Sequence, residues 1–224
     1  MRRLWLSLAL VAAVGALVAS VTFAVGQASR PRPAGAGMMT GQSWYGTGTG
    51  MMGGAGGMMG ALWLAGDGHR VTSIAAARDR AAEAGASIGL HPGEVIWFDN
   101  GFYVELKDAA GDSATEVIVD PATGGVSTEP GPAMMWNARY GRHRTGTTAP
   151  ATVTPDRAQH NATDWLTGNL PGRLAQPPDA YPGYYTLETT TSGGTINGML
   201  SVNAATGQVW YHTWHGRYIA REDA

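Results

Sequence analysis

Eight of the ten methionines in this 224-residue sequence stand in adjacent pairs: Met38-Met39, Met51-Met52, Met58-Met59 and Met134-Met135. Thioether sulfur is a soft ligand matched to Cu(I). The chain has no cysteine, and outside the cytoplasm thioethers serve this purpose without the oxidation and exchange chemistry of thiols. The first three pairs fall in MMTGQSWYGTGTGMMGGAGGMMG, from Met38 to Gly60. A glycine-rich backbone bends around one ion without strain, and Trp44 and Tyr45 add aromatic faces for a cation. One reading is a Cu(I) site built from Met38, Met39, Met51, Met52, Met58 and Met59. The other is a tether in which methionine is incidental or rests on a membrane surface. Met134-Met135, followed by Trp136, reads as packing between folded parts.

The six histidines offer one close pair, in His212-Thr213-Trp214-His215. On a strand, positions i and i+3 face opposite sides and cannot share an ion. On a helix or turn they can, and His212 and His215 then join the candidate metal ligands. The plainer reading is a pair of hydrogen-bonded imidazoles on a final strand. Asp99, Glu105, Asp108, Asp112, Glu116 and Asp120 cluster in sequence, mostly at turn or solvent-facing strand positions, with no spacing that marks an acid–base pair. H-E-x-x-H, G-x-S-x-G and P-loop patterns are absent. The expectation is a protein that is not an enzyme, with a hydrolase disfavoured for want of a nucleophile and base. Tyr184, Trp210, Tyr211, Trp214 and Tyr218 crowd the C-terminal part as a candidate interaction surface. Alternatively they fill an interface that small alanine-rich helices leave underpacked.

Charged residues make up 14% of the chain and the net charge is −2, so nucleic acid is not an expected partner. Met1-Arg2-Arg3 precedes an uncharged run, LWLSLALVAAVGALVASVTFAVG, from Leu4 to Gly26. As a helix it is about 34 Å long, enough to span a bilayer core. The leading arginines keep the N-terminus inside. An uncleaved single-pass membrane anchor with the remainder extracytoplasmic is one expectation. A cleaved signal followed by secretion and a buried core helix are the others. Residues 27–65 read as a flexible Met/Gly-rich tether, because Gly, Ala, Pro, Ser and Thr bury too little surface to order a chain.

Beyond the tether the sequence repeats. Val71-Thr72 returns as Val153-Thr154, and Gly101-Phe102-Tyr103 as Gly183-Tyr184-Tyr185, each 82 residues on. Val119-Asp120-Pro121-Ala122-Thr123-Gly124-Gly125-Val126 returns as Val202-Asn203-Ala204-Ala205-Thr206-Gly207-Gln208-Val209, 83 on. Three matches in one order predict two copies of one unit, over 66–137 and 151–220, joined by a connector over 138–150. Each copy opens with a helix capped by Thr72 or Thr154, with Pro155 at the first helical position. Ile74, Ala77, Ala81 and Ile88 form the apolar stripe of the first helix, and Gly85 and Gly168 read as stop signals. Strands follow at 94–98, 102–106, 115–119 and 126–128, with Asp99-Asn100-Gly101 and Asp120-Pro121-Ala122-Thr123-Gly124 as turns. Copy two ends in a strand at 209–212. The fold class is α+β, each unit one helix on an antiparallel sheet of about four strands.

A capped helix, the strand Gly101-Phe102-Tyr103-Val104 and the hairpin Val119-Asp120-Pro121-Ala122-Thr123-Gly124-Gly125-Val126 resemble the PepSY domain. Copy two is similar, with Asn203-Ala204 in place of Asp120-Pro121. The resemblance covers about 70–220 and implies a non-catalytic, extracytoplasmic module of the bacterial envelope, with no catalytic residues to carry over. The partner it implies is an envelope protein or a peptidase that the module restrains. Two functions therefore stand side by side: a protein-interaction or inhibitor-like module, and a Cu(I)-binding accessory protein using the tether methionines.

Overall fold

The computed structural model describes residues 62–142 and 150–223. The expected membrane segment and the tether methionines Met38, Met39, Met51, Met52, Met58 and Met59 lie outside them. No described helix is long and apolar enough to cross a membrane. In chain order the described elements are β1 (Trp63–Leu64), α1 (Ile74–Ala86), β2 (His91–Phe98), β3 (Gly101–Lys107), β4 (Ser113–Val119), β5 (Val126–Thr128), α2 (Pro132–Met135), α3 (Pro155–Asn169), β6 (Leu174–Ala175), β7 (Asp179–Tyr181), β8 (Tyr184–Thr190), β9 (Ile196–Asn203), β10 (Val209–Tyr211) and β11 (Tyr218–Glu222). The class is α+β, and the strands pair antiparallel.

Two sheets form, in the orders β1-β5-β4-β3-β2-β11 and β10-β9-β8-β6, with β7 also on β8. The first is wider than the expected four strands. β1, in residues expected to be part of a flexible tether over 27–65 but here paired with β5, and β11 add to its two edges. Strand alternation then decides the layers. From the first sheet, Val95, Phe102, Val104, Leu106, Val117 and Val119 pack with Ala77, Ala81 and Ala84 of α1. From the second, Tyr185, Leu187, Leu200 and Val202 pack with Ala158, Ala162 and Leu166 of α3. The opposite faces meet each other: Ile96, Phe98 and Tyr103 pack on Met199. The result is helix, sheet, sheet, helix. β3 is covered on both faces, so its residues Gly101 to Leu106 are all buried.

Local signals correct the sequence reading in places. The cap of α1 is Ser73, whose Oγ accepts from the Ala76 N–H at 3.2 Å, rather than Thr72. Gly85 lies inside α1, where a Cβ would meet the Leu90 carbonyl oxygen at 2.7 Å. It permits close packing, and the positive φ that closes the helix end belongs to Gly89, at 71°. Ile88 is past the helix and 45% exposed. Gly168 likewise precedes the end of α3 at Asn169. Thr154 caps α3 as expected, accepting from Arg157 N–H with Pro155 next. The final strand of copy two stops at Tyr211, which leaves His212 in the turn that follows.

Candidate metal centre

The inner faces of the two sheets are unusually polar for a protein interior. From the first sheet, Tyr103 and Glu116 reach inward. From the second come Tyr181, Tyr184, Thr186 and Ser201. Tyr103 and Tyr184 donate their hydroxyls to the two oxygens of Glu116 at 2.9 and 2.8 Å. Tyr103 has then spent its proton, so the 3.0 Å contact with Tyr181 is donated by Tyr181. Burial, and then the charge of Glu129, push the Glu116 carboxyl well above the ordinary carboxylate range. Burial thus works against the charged form of Glu116, and the phenol hydroxyls work for it.

Glu129 stands one residue beyond β5 and is 0% exposed. Its Oε1 lies 2.8 Å from His215 Nε2 and 3.3 Å from His212 Nδ1. Trp214 donates its indole N–H to the same oxygen at 3.0 Å. His212 is buried, and the His215 side chain is 4% exposed. Both imidazoles are within ion-pair distance, yet neither contact has hydrogen-bond geometry. His212 Nδ1, His215 Nε2 and Glu129 Oε2 are buried with no hydrogen-bond partner.

Unpartnered buried polar atoms are costly, on the order of 1–3 kcal/mol each and more for charged groups. Two such nitrogens facing one carboxylate therefore call for a common partner. The three ligand atoms, one from each residue, lie within 4.8 Å of one another. In a tetrahedral shell, ligand atoms bound at about 2.0–2.2 Å stand roughly 3.3–3.6 Å apart; the His212 contact at 3.3 Å has that spacing, and the His215 contact at 2.8 Å must open slightly to admit an ion. A proton between Glu129 and one imidazole satisfies only that nitrogen. A divalent cation satisfies both nitrogens and offers Oε2 a bond as well.

The surroundings fit such a use. His212 Nε2 lies 2.9 Å from Ser201 Oγ, which lies 2.9 Å from Thr186 Oγ1. With Nε2–H donated to Ser201, the lone pair of Nδ1 turns toward Glu129, the way outer hydrogen bonds orient metal-ligating histidines. Trp214 stacks on His212 with ring centroids 4.5 Å apart, and Phe98 stacks on His215 at 4.4 Å. Burial works to raise the Glu129 carboxyl, but with a proton rather than an ion at His212 Nδ1 the charge of that imidazole and the contacts from both rings hold it well below the usual carboxylate range. Burial lowers the His215 imidazole, outweighing the pull of Glu129.

Local sequence explains how each ligand is placed. A Cβ at Gly131 would meet the Trp214 ring at 2.9 Å, and its φ is +79°. Glycine there lets the chain leaving Glu129 turn beneath the tryptophan. His212 and His215 sit in the turn between β10 and β11. Asn100, at the β2–β3 turn, grips this segment by donating to the Trp214 carbonyl and accepting from the Gly216 N–H, both at 2.8 Å. Asp99 accepts from the Arg217 N–H at 2.9 Å.

The sequence reading placed His212 and His215 among the metal candidates on condition of a turn, and the turn is there. It missed Glu129, whose one local mark is an acidic residue immediately before Pro130-Gly131-Pro132. The aromatic residues do not make one outer surface. Tyr184 is fully buried on Glu116, Tyr211 stacks on Trp165 and contacts Arg173, and Tyr218 packs on the Ile96 cluster. Trp210 is 38% exposed and meets Trp136 edge-on. The expectation of an interaction surface from Tyr184, Trp210, Tyr211, Trp214 and Tyr218 is therefore corrected. Most of them serve the interior, because a double-sheet interface consumes aromatic area.

The fold and the centre together define a double-sheet α+β protein with a buried two-histidine, one-carboxylate cluster. No protein-family model matches the chain, and no curated protein matches it. Among solved structures, the chain is similar to the Bacillus megaterium YpeB C-terminal domain, at 14% identity over 67% of this chain and 71% of that one, with a TM-score of 0.34. A score of that size carries neither fold nor function across.

Proposed function

We propose that this chain is a non-enzymatic metal-binding module in which one divalent transition-metal ion sits on Glu129, His212 and His215. The observation that carries the reading is two buried, unpartnered imidazole nitrogens within 3.3 Å of one buried carboxylate oxygen, brought together from two distant chain segments. Two imidazoles and a carboxylate form a borderline nitrogen–oxygen set, suited to Zn²⁺, Co²⁺, Ni²⁺ or Cu²⁺ rather than to Cu(I). Two open concavities, of about 490 and 400 Å³, are lined by other residues and do not reach the centre. The burial of all three side chains supports a structural or binding use, with three protein ligands leaving an ion a fourth position for water. The two halves are read as copies of one PepSY-like unit, supported by the matched turns in which Asp120 and Asn203 each accept from the backbone N–H two residues on. The uncharged segment at 4–26 supports a place outside the membrane, in the envelope.

The test uses the full chain in detergent. Calorimetry with Zn²⁺ is expected to give one site per chain, and Co²⁺ a visible absorption band. Cu²⁺ is expected to quench Trp214, which lies on His212. Glu129→Gln, His212→Ala and His215→Ala are each expected to weaken Zn²⁺ binding by about 100-fold or more. Absence of stoichiometric binding of all four ions overturns the reading. Cu(I) binding that survives these changes and falls with Met→Leu at 38, 39, 51, 52, 58 and 59 would move the function to the tether.

A further inference from the structure

The C-terminal strand does not stay with its own half. After β10 the chain passes through the His212–His215 turn and crosses to the first sheet, where β11 pairs with β2: Tyr218 with Phe98, Ala220 with Trp97, Arg221 with Ile96 and Glu222 with Val95. β11 is an edge strand with little apolar burial. Ile219 is 47% exposed, and Arg221 and Glu222 are exposed. Two of its ion pairs are solvent-facing: Arg217 with Asp99 and Arg221 with Asp223. Pairs of this kind hold weakly. The partly sheltered exceptions are Arg78, which reaches Glu222 at 3.3 Å, and Arg221, whose guanidinium reaches Glu188 at 3.0 Å and Glu94 at 3.4 Å. The firm anchor of this arm is instead its root, where Trp214 donates to Glu129 and Asn100 holds the Trp214 carbonyl and the Gly216 N–H, with His212 and His215 against the same carboxylate. Strength at the root and weakness along the strand mark an element that opens locally while the remainder of the fold persists.

We infer that the outer edge of β2 is a strand-accepting surface, covered in cis by β11, and that metal occupancy at Glu129, His212 and His215 decides how often it is uncovered. The partner it fits is an extended peptide that adds antiparallel to β2. β11 itself defines the recognition chemistry. Main-chain hydrogen bonds supply the pairing. An aromatic residue at the Tyr218 register packs on the cluster of Ile96, Phe98 and Tyr103. An arginine at the Arg221 register meets the carboxylates of Glu94 and Glu188. With the ion bound, the arm root is fixed and its own strand outcompetes a peptide in trans. Without it, Glu129 and the two imidazoles lose their common partner, the root loosens, and the edge is exposed for a larger fraction of the time. This inference rests on the metal centre proposed above.

The test is made on the full chain, loaded with Zn²⁺ or stripped with a chelator, using a fluorescent peptide of residues 216–224 as the probe. The expected result is binding at least about ten-fold tighter to the stripped protein, since apparent affinity scales with the open fraction. The same peptide with Arg221→Ala is expected to lose that binding. In parallel, amide exchange is expected to accelerate on chelation at 216–223 and 94–98, while 184–203 keeps its protection. Equal peptide affinity in both states, no peptide binding to the stripped protein, or loss of protection across the whole chain each overturns the inference. Zn²⁺ titration of the same sample separates the two claims. If no ion binds, the centre itself fails. If an ion binds and the arm exchanges at one rate in both states, only the gating fails.

Discussion

Glu116 and Glu129 show how one residue type takes two roles a short distance apart in one interior. Glu116 faces phenol hydroxyls, and burial raises its carboxyl so that the neutral, protonated form is favoured. Glu129 faces imidazoles and keeps its charge. Substitution separates the two. Glu116→Gln replaces a neutral acid by a neutral amide of the same shape and is expected to change stability by no more than about 1 kcal/mol. Tyr184→Phe strips a buried acceptor of its donor and is expected to cost about 1–2 kcal/mol. Urea denaturation of the two variants checks the order, and a larger loss in the glutamine variant would mean that Glu116 is ionised. Gly131→Ala is expected to cost about 1–3 kcal/mol, from its positive φ and the approach of the Trp214 ring. Because that ring donates to Glu129, its emission spectrum is expected to shift in the same variant.

The helices and turns follow rules that act over a few residues, so their errors in sequence reading are small and have local causes. α1 starts one residue later than read because Ser73 rather than Thr72 has extended backbone geometry and a hydroxyl aimed at a free N–H. Ser73→Ala and Thr154→Ala are each expected to cost about 1 kcal/mol. Thr72→Ala, at an exposed position outside the cap, is expected to leave the melting temperature unchanged. Equal effects at Thr72 and Ser73 would refute the cap assignment. The strands need more than local rules. The alternation along β3 and β4 predicts two faces, but whether the second face meets water or another sheet depends on what lies opposite. Here Glu105 and Glu116, read as turn or solvent positions, are buried because the second sheet covers them.

At the scale of the whole molecule, the sheet-to-sheet seam also carries a pH dependence. Glu94 is pushed up to about 8 by burial first and by the nearby charge of Glu188 second, against the pull of Arg221. Burial, with Glu105 and Glu188 behind it, raises Asp179 in the same region. A carboxyl whose folded value is raised binds its proton more tightly in the folded state than in the unfolded one. Its contribution to stability is therefore largest below the ordinary carboxylate range and is lost as pH rises from there toward about 8. Glu94→Gln is expected to remove that slope, making the variant about 2 kcal/mol more stable relative to the parent at pH 8.5 than at pH 5. Urea midpoints at the two pH values measure it, and parallel curves for parent and variant would show that Glu94 ionises normally in the fold. The same scale divides what was legible from what was not. The amino-acid order by itself determined an α+β chain, the Thr154 cap, the Asp120 and Asn203 turns, and a histidine pair that a turn could bring together. Those features depend on a residue and its near neighbours, where backbone geometry and side-chain hydrogen bonds act. Tertiary structure alone brought Glu129 to His212, 83 positions away, carried β11 across to β2, and turned two polar strand faces into a sealed interior. No local rule reaches that far, because a site assembled from separate segments exists only once packing has excluded water from the space between them.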